Sequence, residues 1–81
     1  MSERIRNLGR RLELREQLRE AVMEMEDCRR LIREMLPPGG DPLKVDGARV
    51  AALASRLYGI QLRLDKDVFP ELHALNEELG E

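Results

Sequence analysis

Apolar residues recur every three or four positions through the first half of the chain. From Leu14 to Met35 the intervals between them alternate between four and three residues, which is the a/d rhythm of a helix that buries one seam against another helix. No glycine or proline interrupts residues 10–36. The pattern therefore predicts a first helix over about residues 2–36. Its seam consists of Leu14, Leu18, Ala21, Met25, Cys28, Ile32 and Met35.

A Pro-Pro-Gly-Gly run at residues 37–40 follows this helix. Prolines end helices and proline–glycine pairs mark turns, so we predict a turn over residues 37–41. Asp41 followed by Pro42 is typical of a helix cap with proline at the first helical position. Asp46 is a second possible cap. The next helix therefore begins at 42 or at 46, and we favour an irregular entry at Pro42 with regular helix from Asp46.

A second seam with the same spacing runs through the rest of the chain. Pro70 removes one backbone hydrogen bond from it, which predicts either a bend or a break. The second helix then extends to about residue 66, and a continuation or a last helix covers about residues 67–79. Two long arms around one sharp turn predict an all-α fold, an antiparallel helical hairpin forming a single domain over residues 1–81. The second seam consists of Val50, Leu53, Leu57, Ile60, Leu64, Val68, Leu72, Leu75 and Leu79.

The second helix also carries an apolar flank beside its seam, at Ala48, Ala51, Tyr58 and Leu62. A helix that is apolar on two sides usually contacts two neighbours. A hairpin supplies only one neighbour, so the pattern predicts that the chain dimerises into a four-helix bundle.

A small apolar cluster near the N-terminus does not continue the first seam. Ile5, Leu8 and Leu12 lie about 150° away from it on a helical wheel. Two interpretations stay open. A straight helix leaves the cluster exposed or covered by another molecule, whereas a kink at Gly9 turns it onto Val68, Leu72 and Leu75.

Charged residues make up 37% of the 81 residues, yet the net charge is only −2. This balance provides no bulk attraction for nucleic acid or acidic lipid. Six arginines nevertheless share one sector of the first helix. We interpret them as flanking the seam in interhelical ion pairs, with Arg11 and Arg15 near Asp65 and Asp67 and Arg4 near Glu77 and Glu78. The alternative is that they bind an acidic partner protein or a phosphate backbone. They are Arg4, Arg11, Arg15, Arg19, Arg29 and Arg33.

Side chains suited to catalysis are few: one histidine, two serines and no threonine. No nucleophile triad, phosphate-binding glycine loop or Cys-x-x-Cys pair is present. His73 and Glu77 are spaced to share a surface metal, but we interpret them as part of a polar face. Cys28, the lone cysteine, is predicted to be a buried small hydrophobe in a reducing compartment. We therefore expect no catalytic residue, no cofactor and no metal.

The sequence has neither the pattern of a signal peptide nor that of a membrane-spanning segment. The first residues lack the apolar region of a signal peptide, and the longest apolar run, residues 50–54, is too short to span a bilayer. These features predict a soluble cytoplasmic protein without membrane contact.

The sequence therefore predicts a non-enzymatic, homo-oligomeric helical interaction or regulatory module. One alternative is a small chaperone or adaptor whose exposed groove receives a helix from another protein. A second is nucleic-acid binding through the arginine stripe, which the net charge and the scarcity of aromatic residues disfavour. The candidate contact residues under these interpretations are Ile5, Leu8, Leu12, Arg11, Arg15, Arg19, Ala51, Tyr58 and Leu62.

Overall fold

The computed structural model describes residues 2–36, 39–41 and 44–80. Within these residues the chain forms two helical arms and no strand. The first arm is a single helix, and the second is a helix, a π-helical turn and a further helix that follow one another without interruption. The predicted all-α antiparallel hairpin is confirmed. Its elements are α1 (Glu3–Met35), α2 (Gly47–Arg63), the π turn (Leu64–Val68) and α3 (Phe69–Glu78).

The turn end of the hairpin contains the start of α2. The side chain of Asp46 accepts a hydrogen bond from the backbone N–H of Arg49 at 3.1 Å, so Asp46 caps the helix and regular helix begins at Gly47. Gly39 has a φ of +78°, a conformation that suits glycine in a sharp reversal of the chain. Pro37, Pro38 and Pro42, on which the predicted turn and the alternative helix start depend, lie outside the described residues.

Pro70 lies in the first turn of α3 and explains the π turn that precedes it. Because proline has no backbone N–H, an α-helical ladder cannot pass through it unchanged. The chain widens instead, and the N–H of Phe69 donates to the carbonyl of Leu64, five residues earlier. In place of the predicted bend or break, the structure has a local widening within a continuous helical path. This widening begins at Leu64, three residues before the predicted boundary near residue 67.

The core is one row of side chains between the two arms. Leu14 and Val68 are each 1% exposed, and Cys28 is a free thiol that is 2% exposed, as predicted. Every buried hydrophobic residue belongs to one of the two predicted seams, so the three-and-four spacing identified the core. The buried hydrophobic residues are Leu14, Ala21, Met25, Cys28, Leu64, Val68 and Leu75, with Leu18, Leu57, Ile60 and Leu72 packed against the cluster.

The hairpin is a rod with extents of 59 × 18 × 17 Å and a radius of gyration of 17.9 Å. A compact domain of this length has a radius of gyration of about 12 Å. The rod is only two helices wide, so each helix buries one stripe against its neighbour and leaves its remaining surface exposed.

Candidate interaction surface

The hairpin has two broad sides of different chemistry. Helical residues advance by about 100° each, so side chains to one flank of the seam lie on one broad side and those to the other flank lie on the opposite side. We name them the polar side and the apolar side. The polar side is defined by Arg10, Glu13, Glu24, Arg56 and Glu71. The apolar side is defined by Leu8, Val22, Ala54, Tyr58 and Phe69, although exposed arginines of the α1 stripe, such as Arg15, Arg29 and Arg33, also lie on this side of α1.

Ion pairs between the two arms close the polar side. Arg10 binds Glu71 through two bonds, with Nε 2.7 Å from Oε1 and Nη2 3.0 Å from Oε2, and its Nη1 also lies 3.0 Å from Glu13 Oε2. Arg56 donates from both Nε and Nη2 to Glu24 Oε1. The Arg10–Glu71 pair is bidentate, which constrains its geometry, so together with the Arg56–Glu24 contact it aligns the arms on this side.

Hydrogen bonds from arginine lower the pKa of two glutamates, Glu71 and Glu16. The hydrogen bonds from Arg10 lower the pKa of Glu71 below its ordinary value, and those from Arg19 do the same for the pKa of Glu16. The guanidinium pKa values of Arg10 and Arg56 are raised by their partners, Glu71 and Glu24. A group used in proton transfer needs a pKa near the working pH. These groups instead act as fixed surface charges.

The apolar side exposes large uncharged side chains. Tyr58 is 70% exposed, and Val22 and Phe69 are also exposed. Between Arg49 and Arg63 the only charged residue is Arg56, which points to the polar side and binds Glu24 there. The outer surface of α2 therefore runs without a charge for almost its whole length.

The predicted flank of the second helix lies on this surface. Ala51, Tyr58 and Leu62 are all exposed, so no part of the described chain covers them. In the N-terminal cluster, Ile5 and Leu12 are 58% and 66% exposed and Leu8 is half-buried.

The kink interpretation of the N-terminal cluster is therefore wrong. Helix α1 continues through Gly9, and it keeps Ile5 and Leu12 away from Val68. Val68 instead packs in the core cluster with Leu14.

The arginine stripe differs from its prediction at Arg19. Arg11 is only 9% exposed, because it lies close to the seam. Arg15 and Arg19 are exposed. Arg19 binds Glu16 on its own helix, with Nη2 2.6 Å from Oε1, and this short-range pair replaces the predicted contact with acids of the second arm.

Arg10 and Arg56, which form the ion pairs between the arms, were not among the predicted site residues. In an antiparallel hairpin, two residues at the same level have numbers with a nearly constant sum. The pairs 10 and 71 and 24 and 56 both obey this rule, with sums of 81 and 80. That relation was a signal available in the sequence, but the choice of side required the relative rotation of the helices.

Two further possibilities are a metal site and a membrane-spanning helix. Across residues 2–36, 39–41 and 44–80, no three histidine, cysteine or acidic side chains come together in a group able to hold a metal ion. His73 Nε2 lies 3.3 Å from Glu77 Oε1, and both side chains are exposed. In the same part of the chain, no helix combines the length and apolar character that crossing a bilayer requires.

The fold and surface thus define a class: an antiparallel two-helix hairpin with one ion-paired side and, on the other, an uncharged outer surface of α2 beside the arginine stripe of α1. Comparison of the chain with protein-family models, with curated proteins and with solved structures found no match. Any assignment of function therefore depends on the geometry of this surface.

Replacing Arg11, Arg15 and Arg19 together with glutamine separates the interpretations of the stripe. We expect the variant to stay helical and to lose about 1–2 kcal/mol of unfolding free energy, mostly at buried Arg11. The double variant Arg15→Gln/Arg19→Gln is the matched control and should melt close to the wild type. Thermal melts measure both effects. Wild-type binding to duplex or single-stranded nucleic acid that weakens steeply with salt and is lost in the double variant would instead support phosphate recognition.

Proposed function

We propose that this chain is a non-enzymatic helical module that works by associating with a second copy of itself, so that two hairpins form a four-helix bundle. The observation that carries the proposal is the uncharged outer surface of α2 around Tyr58. Charged residues supply 37% of the chain, and an exposed helix face that excludes them is typical of a surface that another molecule covers.

The exposed area supports the same proposal. The chain exposes 6180 Å², whereas folded monomers of its 9.4 kDa mass expose about 5,000 Å². The excess is about 1,200 Å², and a specific interface buries about 800 Å² on each partner. One broad side of the rod is thus large enough for a stable dimer.

A small core also favours association. Hydrophobic cores of chains this short rarely supply more than about 3–5 kcal/mol, and here the core is a single row of side chains. Stacking two hairpins adds a second layer and increases the apolar area that each helix buries.

Binding is a better supported role than catalysis. The lone histidine is exposed and contacts Glu77, and the hydrogen bonds from Arg10 lower the pKa of Glu71. The proposal places the module in the cytoplasm, because a single free cysteine suits a reducing compartment.

Gel filtration with light scattering tests the proposal. We expect a mass near twice 9.4 kDa at micromolar concentration, and a melting temperature that rises with protein concentration because association stabilises the folded chain. A monodisperse, fully helical monomer at 100-fold higher concentration would contradict it. A monomer that captures a helix from a different protein would favour the adaptor alternative.

A further inference from the structure

We infer that α3 is a releasable helix: it separates from α1 as a unit, with its hinge at the end of the π turn, while α2 stays packed against α1. Release exposes apolar side chains of α3 that the closed hairpin covers. The inference goes beyond self-association, because it concerns contacts between the two arms of one chain. It is supported by the α1 face under α3, by the contacts that hold α3 closed and by the backbone at its start.

The face of α1 that α3 covers is polar. Asn7, Arg10 and Arg11 precede Leu14 by seven, four and three positions, so they lie on the same face of α1 as this core residue. Among the described residues of α1, Leu14 is the first buried hydrophobic one. The nearly constant sum of paired residue numbers places it at the level of residues 66 and 67, within the π turn. The buried seam of α1 therefore ends where α3 begins.

Apolar residues of α1 in this region do little to replace the seam. Ile5 and Leu12 are 58% and 66% exposed, and Leu8 is half-buried. The seam residues of α2 are also half-buried, but they lie opposite the part of α1 that contains buried Met25 and Cys28. Because apolar contact stabilises only where both partners are apolar, fewer such contacts hold α3 than hold α2.

The apolar residues of α3 form a stripe on the face toward α1. Leu75 is 8% exposed, and Leu72 and Leu79 are half-buried. We name these three residues the leucine stripe. Since α1 opposes the stripe mainly with polar side chains, the stripe is the surface that release of α3 makes available.

Polar contacts at the surface close α3 onto α1. Arg10 binds Glu71, and both side chains are 42% exposed; Asn7 Nδ2 donates to Glu78 Oε2 at 2.9 Å. Water competes for exposed pairs of this kind, so they stabilise weakly. Within the described residues, Asn76 Oδ1 is buried without a hydrogen-bond partner. This unmet acceptor opposes the closed state, because release of α3 lets water bind it.

The backbone at the start of α3 suits a hinge. Pro70 has no N–H, so the helical ladder lacks one hydrogen bond there. The π turn before it is anchored, because Leu64 and Val68 are 3% and 1% exposed. The gap in the ladder thus lies between an anchored turn and a weakly held helix, and α3 can separate without moving the core residues of the π turn.

Thiol labelling tests the inference. Leu75→Cys in a Cys28→Ala background places the one thiol under α3, and Leu64→Cys in the same background is the matched control, since both remove a buried leucine. With helicity checked first, a bulky thiol reagent should modify Leu75→Cys at least 100-fold faster than Leu64→Cys. The Leu75→Cys rate should rise with urea, but less steeply than global unfolding, because only the ten residues of α3 become exposed.

Further substitutions in the Leu75→Cys protein locate the contacts. Glu71→Gln removes the charged acceptor of Arg10 and should speed labelling about 3- to 10-fold. Glu24→Gln is the matched control, because it weakens the ion pair between α1 and α2 and should leave this rate unchanged. Asn76→Leu should slow labelling about 5-fold or more, since the buried acceptor is removed.

The unmodified chain gives a second test that does not depend on a core substitution. Within residues 10–75, a glutamate-specific protease should cut first after Glu71 rather than after Glu20 or Glu24, because cleavage requires a locally opened segment. First cuts in α1, equal labelling of Leu75→Cys and Leu64→Cys, or labelling of Leu75→Cys that ignores urea would overturn the inference. Light scattering on the same samples reports self-association separately, so a monomer would contradict the proposed function alone.

Discussion

Leu57→Glu is expected to unfold the chain. Leu57 is half-buried in the middle of the α2 seam and packs against the core cluster. A carboxylate there must either lose its hydration or push the arms apart, and burying an unpaired polar group costs about 2–7 kcal/mol. This cost is comparable with the whole stability of so small a domain. Far-UV circular dichroism should show loss of helix at 25 °C.

The control for this prediction adds the same charge one and a half turns away. Ala52→Glu is exposed on α2 and should leave the helical signal and the urea midpoint near those of the wild type. Cooperative unfolding of Leu57→Glu at the wild-type midpoint would show that the seam of α2 is not the surface that holds the arms together.

Leu14→Ala is expected to cost about 3–5 kcal/mol of unfolding free energy. Leu14 is 1% exposed and belongs to the core cluster with Val68, so truncation removes apolar contacts and leaves a cavity in a core one layer deep. Urea denaturation followed by circular dichroism measures the loss. The matched control is Leu12→Ala, two residues away and 66% exposed, which should change stability by less than about 0.5 kcal/mol when measured at a concentration that keeps the chain monomeric. Similar losses in the two variants would contradict the assigned seam.

The core could be predicted from the sequence because burial in this fold lies along a single line. The spacing of Leu14, Ala21, Met25 and Cys28 defines that line on α1 without knowledge of its partner. The start of α2 could be predicted for a similar reason. An aspartate cap acts within one turn of its helix, and Asp46 needs only the N–H of Arg49.

The π turn before Pro70 could not be predicted in the same detail from the sequence. Proline shows that one hydrogen bond is missing, but a bend, a break and a π turn all satisfy that requirement. The choice depends on keeping both Leu64 and Val68 against α1, and both are buried. That constraint comes from packing between the arms.

The candidate surface was only partly predictable. The exposed flank at Tyr58 and Leu62 follows from local periodicity, and both residues are exposed. The division into a polar and an apolar side depends on how far each helix is rotated about its own axis. The two neighbours Arg10 and Arg11 differ by one residue step around the helix, and Arg10 binds Glu71 whereas Arg11 is buried.

The single-row core has a consequence for how the rod opens. At each level along the rod, the two arms are held together only by contacts across one interface. When the arms separate at one level, the adjacent level loses contacts, so separation can continue along the rod. The turn joins the arms at one end, whereas the other end is held at the surface by contacts such as Asn7 to Glu78. Opening should therefore begin at the termini, with amide exchange slowest between Leu14 and Cys28, where the core side chains are concentrated.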